Sequence, residues 1–533
     1  MTPSLLKKVG MASLILMISV FLSRVLGLVR EMVIAWIGGV GPEVDAYQVA
    51  FIIPEILNHA AGSGFLSITF IPLFAACLTR QDENAGWNIF SIILNSFGTL
   101  VLAACCLCWI MAPELISLLA PGLHDSEVRT SAIRMTRIMI PAQLFFFCGG
   151  LLTAVQFAKE RFVFPALAPL VYNAGIILGG IALGPWLGME GFSWGVLAGA
   201  FAGNFLLQIK GAQAAGMVYQ VKSGFTHPAL KQYIRATIPL ILGMGMSFST
   251  EIFLKFFGSW LPAGSIASLN YSLRVVYMLV GVFGQAVGMA SFPYMARLAA
   301  QNQLDEMNRL LNTAIRYLCL IIPVSVLLMA LRHETVFLLF QRGKFDADAA
   351  ALTSRVLLFM LIGAFAFSIQ TVVVRGYYAV QNTVTPTLFS TGCALFSIPL
   401  FLLGMRFMGV FGVSLALSLS VIFQVGILYF MWNKTSGNHE GRDVWRFFLK
   451  MAGLSIPLGF FLEWARRMAI SLFEFAGIGG NLVLILLISL IFILFMAVSA
   501  TVFRISEITG LVMRILNRVR AKKPEDGGQR TEK

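Results

Sequence analysis

Residues 23–72 read SRVLGLVREMVIAWIGGVGPEVDAYQVAFIIPEILNHAAGSGFLSITFIP. Two apolar spans meet here at a turn built from Gly38, Gly39, Gly41 and Pro42. The first carries Arg24 and Arg30 within otherwise apolar sequence. A charge at the centre of a bilayer costs about 2.5–3.5 kcal/mol on insertion scales, so it normally faces protein or a water-filled cavity. The two arginines lie six residues apart, about 9 Å along a helix. Headgroup anchoring, or local pairing of Arg30 with Glu31, therefore accounts for one of them better than for both. The second span begins at Asp45 and is interrupted by Pro54 and by Gly62-Ser63-Gly64. Broken, glycine-rich helices beside intramembrane cations are how transporters build an anion site near the midplane.

Working outward, composition agrees. Of 533 residues 58% are hydrophobic and only 12% charged, the balance of an all-α polytopic membrane protein. Apolar stretches of about 20 residues recur along nearly the whole chain. The net charge of +14 sits mostly in loops and tail, where it sets topology rather than recruiting nucleic acid. The seven cysteines fall in or beside apolar spans, without a CxxC pattern. An odd count argues against a disulfide framework. Lys7 and Lys8 before an apolar run resemble a signal peptide, but the run is long, holds two arginines and lacks a convincing cleavage site. It is expected to remain as the first helix.

Hydropathy and loop punctuation predict fourteen transmembrane spans, near 10–37, 45–77, 88–112, 128–157, 163–184, 190–216, 230–258, 265–297, 307–331, 350–380, 385–407, 409–432, 445–469 and 478–503. The excess of Lys and Arg in alternate loops places both termini in the cytoplasm. The basic outer loop around Arg342 is the main exception. An internal repeat is also visible. Pro72 recurs as Pro293, Gly122 as Gly343, Arg134 as Arg355 and Pro165 as Pro386, each pair 221 residues apart (293 less 72). Two six-helix lobes of like orientation follow, an N-terminal lobe over 1–222 and a C-terminal lobe over 223–440. Two added helices occupy 441–505. A cytoplasmic tail over 506–533 opens with an amphipathic helix suited to anionic lipid. Small-residue stripes at Gly175 and Gly179, at Gly195, Gly199 and Gly203, and at Gly284 and Gly288 mark close helix contacts.

The second half repeats the intramembrane charge, with Arg274 between Tyr271 and Tyr277 and with Arg375 in VVVRGYYAVQN. Arginines from both halves would converge on a central cleft, and their planar forks suit a diphosphate. Arg375 lies nearer a helix end, where a headgroup anchor is an equal reading. Glu251 and Lys255 stand four apart on one helix face, placed to neutralise each other. His59 is the one histidine inside a span. Enzyme signatures are weak: GFSWG at 191–195 opens a transmembrane helix rather than a strand–turn–helix elbow. There is no Walker A sequence and no HExxH. No catalytic residue, metal site or cofactor is expected, so transport would draw on a Na+ or H+ gradient, the membrane potential or substrate flux.

SRVLGLVRE, DAYQVAF, the run from Gly64 to Pro72, LFQRGKF at 339–345 and YYAVQNTVTP resemble the MurJ/MviN family, the lipid II flippases of the multidrug/oligosaccharidyl-lipid/polysaccharide exporter superfamily. The resemblance covers nearly the whole chain. It implies two lobes around a cavity that opens alternately to cytoplasm and periplasm, with the last two helices holding the undecaprenyl tail. It implies Arg24, Arg30 and Arg274 as cavity cations and Asp45 as a functional acid. Where the family often has an arginine after the proline of the second span, this chain has Asn58 and His59, and Ser63 stands where an acid is often seen. These positions complete the expected substrate site. Glu251, Gly64, Arg375 and Asn382 are candidates for gating or coupling. The leading function is translocation of lipid II across the bacterial inner membrane, with other membrane lipids and the cell-wall synthesis machinery as partners. A flippase for another undecaprenyl-diphosphate glycan, such as an O-antigen or capsule unit, is the alternative. A drug/cation antiporter ranks lower, because an arginine-lined cleft repels cations.

Overall fold

A computed structural model describes residues 3–61, 69–243, 245–505, 507 and 509. Ser63 and Gly64, with the rest of the Gly62–Gly64 break, and most of the amphipathic tail lie outside these residues. Every regular element described is a helix: α1 (Pro3–Gly38), α2 (Pro42–Ala50), α3 (Ile52–Ala60), α4 (Ile71–Thr79), α5 (Glu83–Ile110), α6 (Ala112–Leu119), α7 (Ser126–Ala158), α8 (Val163–Leu187) and α9 (Glu190–Ala214) come first. Then follow α10 (Pro228–Gly243), α11 (Gly245–Ser259), α12 (Ser265–Ala300), α13 (Leu304–Ala330), α14 (Arg332–Phe340), α15 (Ala347–Leu361), α16 (Ala364–Ala379), α17 (Val384–Ser436), α18 (Gly441–Leu472) and α19 (Gly477–Val502).

Local chemistry sets several boundaries. Asp82 caps α5 by accepting from the Ala85 N–H at 2.9 Å, and Asp125 caps α7 through the N–H groups of Glu127 and Val128. Pro42 opens α2, where a missing N–H costs nothing. α17 runs unbroken by assignment, but Gly409 inside it has φ 57° and ψ −131°. It is two helices joined at a sharp turn, and they correspond to the eleventh and twelfth expected spans.

Among the described residues nine helices are long and apolar enough to cross a membrane, or ten if the pair α15 and α16, bent by 45°, counts as one span. The first, second and seventh expected spans are not among the nine. They correspond to α1, to α2–α4 and to α10–α11, and they carry Arg30, Glu31, Glu55, Glu251 and Lys255 of the ionic series described below.

The repeat is written into the backbone. Gln81 and Asn302, Glu160 and Gln381, Gly188 and Gly409, and Gly216 and Gly437 all have positive φ, and each pair is 221 residues apart (302 less 81). Gly188 and Gly409 agree in both angles, with ψ of −132° and −131°. Positive φ is uncommon outside glycine, so the two non-glycine pairs, joined by two glycine pairs at the same offset, are a signature of a duplicated chain path. Helix starts follow the same offset, Glu83 with Leu304, Ser126 with Ala347 and Val163 with Val384.

The chain divides into two compact units. One comprises Met1–Val276, Leu339–Met360 and Asn382–Gln424; the other comprises Tyr277–Leu338, Leu361–Gln381 and Val425–Lys533. In the first, α8 and α9 approach backbone to backbone through their glycines. A Cβ on Gly179 would lie 2.4 Å from the Gly195 Cα, and one on Gly175 2.5 Å from the Gly199 Cα. Lipid supplies no hydrophobic drive for helix association, so van der Waals contact at this range is what joins them. In the second unit, Leu458 and Leu462 of α18 pack with Leu484 and Ile488 of α19 and with Ala330 and Leu331. Arg466 of α18 donates twice to the buried Glu334 of α14, at 2.9 and 2.6 Å.

Candidate functional site

Inside the first unit the ionic side chains of α1, α3, α11 and α12 form one alternating series. Arg30 meets Glu31 at 2.7 Å. Glu31 lies 3.7 Å from Arg274, which lies 3.5 Å from Glu251. Glu251 is 3.9 Å from Lys255, and Lys255 is 3.3 Å from Glu55. Three cations and three carboxylates therefore alternate, with no net charge. Glu31 and Lys255 are 3% and 5% exposed. Isolated charges at such depth would cost several kcal/mol each, and a series of opposite neighbours offsets that cost.

Neutral polar groups fix the ends. Arg30 donates to Asn173 Oδ1 on α8 at 3.2 Å, and Asn270 donates to the second oxygen of Glu31 at 3.5 Å. On α3, Pro54 precedes Glu55, and a ring nitrogen of His59 sits 2.8 Å from the Glu55 carbonyl oxygen one turn earlier. Glu55 and His59 thus come from a short helix whose own carbonyl orients the imidazole. Asn58 is half-buried on the same helix.

Other residues singled out from sequence take different places. Arg24 is exposed on α1 and forms no ion pair among the described residues. Asp45 is 4% exposed and accepts from the Gly264 and Ala267 N–H groups at 2.6 and 2.7 Å. It closes the N-terminal end of α12, where a carboxylate also meets the positive end of the helix dipole. Around it, Tyr271 donates to the Gly39 carbonyl at 3.1 Å and the Lys344 N–H to the Trp36 carbonyl at 3.0 Å. The LFQRGKF loop thus fastens to the end of α1. Asn382 caps α17, accepting from the Thr385 N–H at 3.0 Å. In the second unit, Arg375 donates to Gln285 at 3.0 Å and lies across Gly288, whose Cβ would fall 1.8 Å from a guanidinium nitrogen. α12 is locally π-helical over Val280–Gln285, and Thr371 donates to the Gly284 carbonyl at 2.8 Å. Arg375 is packed against this irregular turn.

The sequence reading missed Glu55 altogether and treated Glu31 only as a local partner of Arg30. One signal was available: Glu55 directly follows the proline that breaks the second span. Joining Glu31 to Arg274 requires tertiary structure. Among the described residues no group of three or more His, Cys, Asp or Glu could hold a metal ion.

Helices of apolar spans, with a largely buried ionic series inside the first unit, define a polytopic membrane transporter. The profile of the family described as Lipid II flippase MurJ matches residues 34–487, and the chain belongs to that family. The Lipid II flippase MurJ of Burkholderia cenocepacia is 26% identical over 456 residues, covering 83% of this chain and 87% of the relative. The Probable lipid II flippase MurJ of Vibrio cholerae is 26% identical over 435 residues, 79% and 82% of the two chains. Among solved structures, Lipid II flippase MurJ in an inward closed conformation superposes with a TM-score of 0.74 at 24% identity, over 92% of this chain and 99% of that one. An inward-facing multidrug resistance MATE family transporter gives 0.65 at 12% identity, over 80% and 96%. These two likenesses show a shared fold.

Proposed function

We propose that this chain flips lipid II from the inner to the outer leaflet of the bacterial cytoplasmic membrane, using fourteen spans arranged as two six-helix lobes and a C-terminal pair. The buried series Arg30–Glu31–Arg274–Glu251–Lys255–Glu55 carries the reading, set beside membership of the MurJ family. Two guanidiniums within reach of a single carboxylate can exchange that carboxylate for a diphosphate, which accepts bidentate hydrogen bonds from each. Arg24, exposed and without a carboxylate partner among the described residues, would meet the phosphates first. Asn58, His59 and Ser63 contribute neutral donors and acceptors for the attached sugars. After the exchange Lys255 remains with Glu251 and Glu55, and the displaced Glu31 keeps the hydrogen bond from Asn270.

Alternating access follows from the same geometry. Asp45, Tyr271 and Lys344 join the end of α1 and the start of α2 to parts of the second repeat. The basic-loop bias puts these ends at the periplasmic side, so this layer closes the outer exit and must part for release. Arg375 and Asn382 lie at segments that bend or end helices, and they are proposed to gate together with Gly64. Coupling to Na+, H+ or the membrane potential acts through Glu251, which is shared by Arg274 and Lys255. α18 and α19, outside the repeat, hold the polyprenyl tail. Partners in cell-wall synthesis would then receive lipid II at the outer face.

Reconstituted vesicles test the reading. The chain should move fluorescent lipid II between leaflets, and unlabelled lipid II should suppress that movement. An O-antigen lipid that competes as well as lipid II would shift the assignment to the other undecaprenyl-diphosphate glycans.

A further inference from the structure

Between α9 and α10 the chain has no helix, yet it is held firmly. Asn95 of α5 donates to the Gln220 and Lys222 carbonyls at 3.2 and 2.8 Å, and Tyr219 donates to Asn95 Oδ1 at 2.8 Å. The Gln220 and Gly224 N–H groups donate to Ser91 and Ser96 at 3.1 and 2.9 Å. An irregular connection longer than about a dozen residues is uncommon unless it has a use, and this one is pinned to α5 at every second or third residue.

The pinned strap borders an open cavity of about 640 Å3 lined by Lys222, Ser223, Thr226 and His227. Lys231 and Arg235 line an adjoining hollow one turn and two turns into α10. His227 Nδ1 accepts from the Ala229 N–H at 3.2 Å, which leaves Nε2–H as the donor. The nearest acid along α5, Glu83, is engaged by Lys159 and by the Trp87 indole at 2.9 Å, so the basic excess is not cancelled. Beside these cations Val221 is 89% and Phe225 58% exposed. Basic residues interleaved with exposed apolar ones mark a segment at the headgroup level of an anionic leaflet, and the loop charge places this face in the cytoplasm.

We propose that this cavity is a headgroup site for an anionic phospholipid of the inner leaflet. The phosphate meets Lys222, Ser223, Thr226 and the His227 Nε2–H, the charges of Lys231 and Arg235 add to the attraction, and the acyl chains lie against Val221 and Phe225. The site sits on the connection between the two sequence repeats and does not depend on what the transporter carries.

Native mass spectrometry of the full chain in detergent tests it, offering phosphatidylglycerol and phosphatidylcholine of matched acyl chains. Wild type should retain one phosphatidylglycerol in preference. Lys222→Gln, Lys231→Gln and Arg235→Gln should each weaken retention about fivefold, read singly so that one poorly folding variant does not decide. Lys434→Gln with Arg446→Gln, which removes two charges that the loop-charge bias also assigns to the cytoplasm, should leave it unchanged. Unaltered retention in all three single variants, or equal loss in the control, would overturn the proposal. Glycerol phosphate or inorganic phosphate displacing the lipid at equal concentration would also overturn it, since the site would then serve a free anion.

Discussion

Glu31 accepts from Arg30 at 2.7 Å, stands 3.7 Å from Arg274 and is held on its other oxygen by Asn270. Neutralising it leaves two half-buried guanidiniums without their shared partner, Arg274 keeping only Glu251, a loss below the roughly 3–5 kcal/mol of a fully buried pair. Glu31→Gln should therefore lower the thermal stability of the purified protein, whereas Arg24→Ala, at an exposed position, should not. Binding should separate the same residues differently. Arg30→Ala and Arg274→Ala each remove a charge-assisted contact worth roughly 1.5–3 kcal/mol, so lipid II should bind about ten- to a hundredfold more weakly. Arg→Lys should restore part of that, because charge persists but the fork is lost. Equal affinity in the Ala and wild-type proteins would count against a diphosphate site. Much of this site was legible as charge out of place: Arg30, Arg274, Glu251 and Lys255 are conspicuous in apolar sequence. Their order was not, because alternation is a property of four helices meeting, and Glu55 hid behind Pro54.

The helices themselves could be read well from periodic apolar stretches, and the glycine stripes marked where two would touch. Gly175 and Gly179 do meet Gly199 and Gly195, with no room for a Cβ between the backbones. Gly179→Leu should accordingly force α8 from α9 and sharply reduce the amount of protein in the membrane, measured by quantitative blotting beside an Ala variant of intermediate effect. Normal levels of the Leu variant would show that the contact can open without loss. What the stripes could not reveal is the π-helical turns over Ala200–Leu206 and Val280–Gln285. These depend on one inserted residue and on neighbours such as Thr371 that satisfy a displaced carbonyl, and no sequence period records them. The turn at Gly409 falls where the sequence reading ended one span at 407 and began the next at 409.

At the scale of the molecule, the four pairs of positive-φ residues at one offset give the repeat a physical basis beyond matching prolines. They end at Gly437, so α18 and α19 stand outside it. Removing residues 445–503 should leave a folded protein that no longer moves lipid II with its full polyprenyl chain; retained transport by that truncation would remove the tail-binding role. Hydropathy predicts fourteen spans, whereas nine or ten helices among the described residues are long and apolar enough to cross a membrane. The first, second and seventh expected spans are broken or charged and so depart from the pattern that identifies a membrane helix. The central claim is that this chain brings lipid II to the outer leaflet, and depletion in the native host tests it most directly. Lipid-linked precursors are labelled, and a membrane-impermeant enzyme that cleaves lipid II reports the outer-leaflet pool. Depletion should deplete that pool while lipid II accumulates on the cytoplasmic side, and wild type but not Arg30→Ala/Arg274→Ala should restore it. An undiminished outer pool after depletion, or accumulation of a different lipid-linked glycan, would contradict the account.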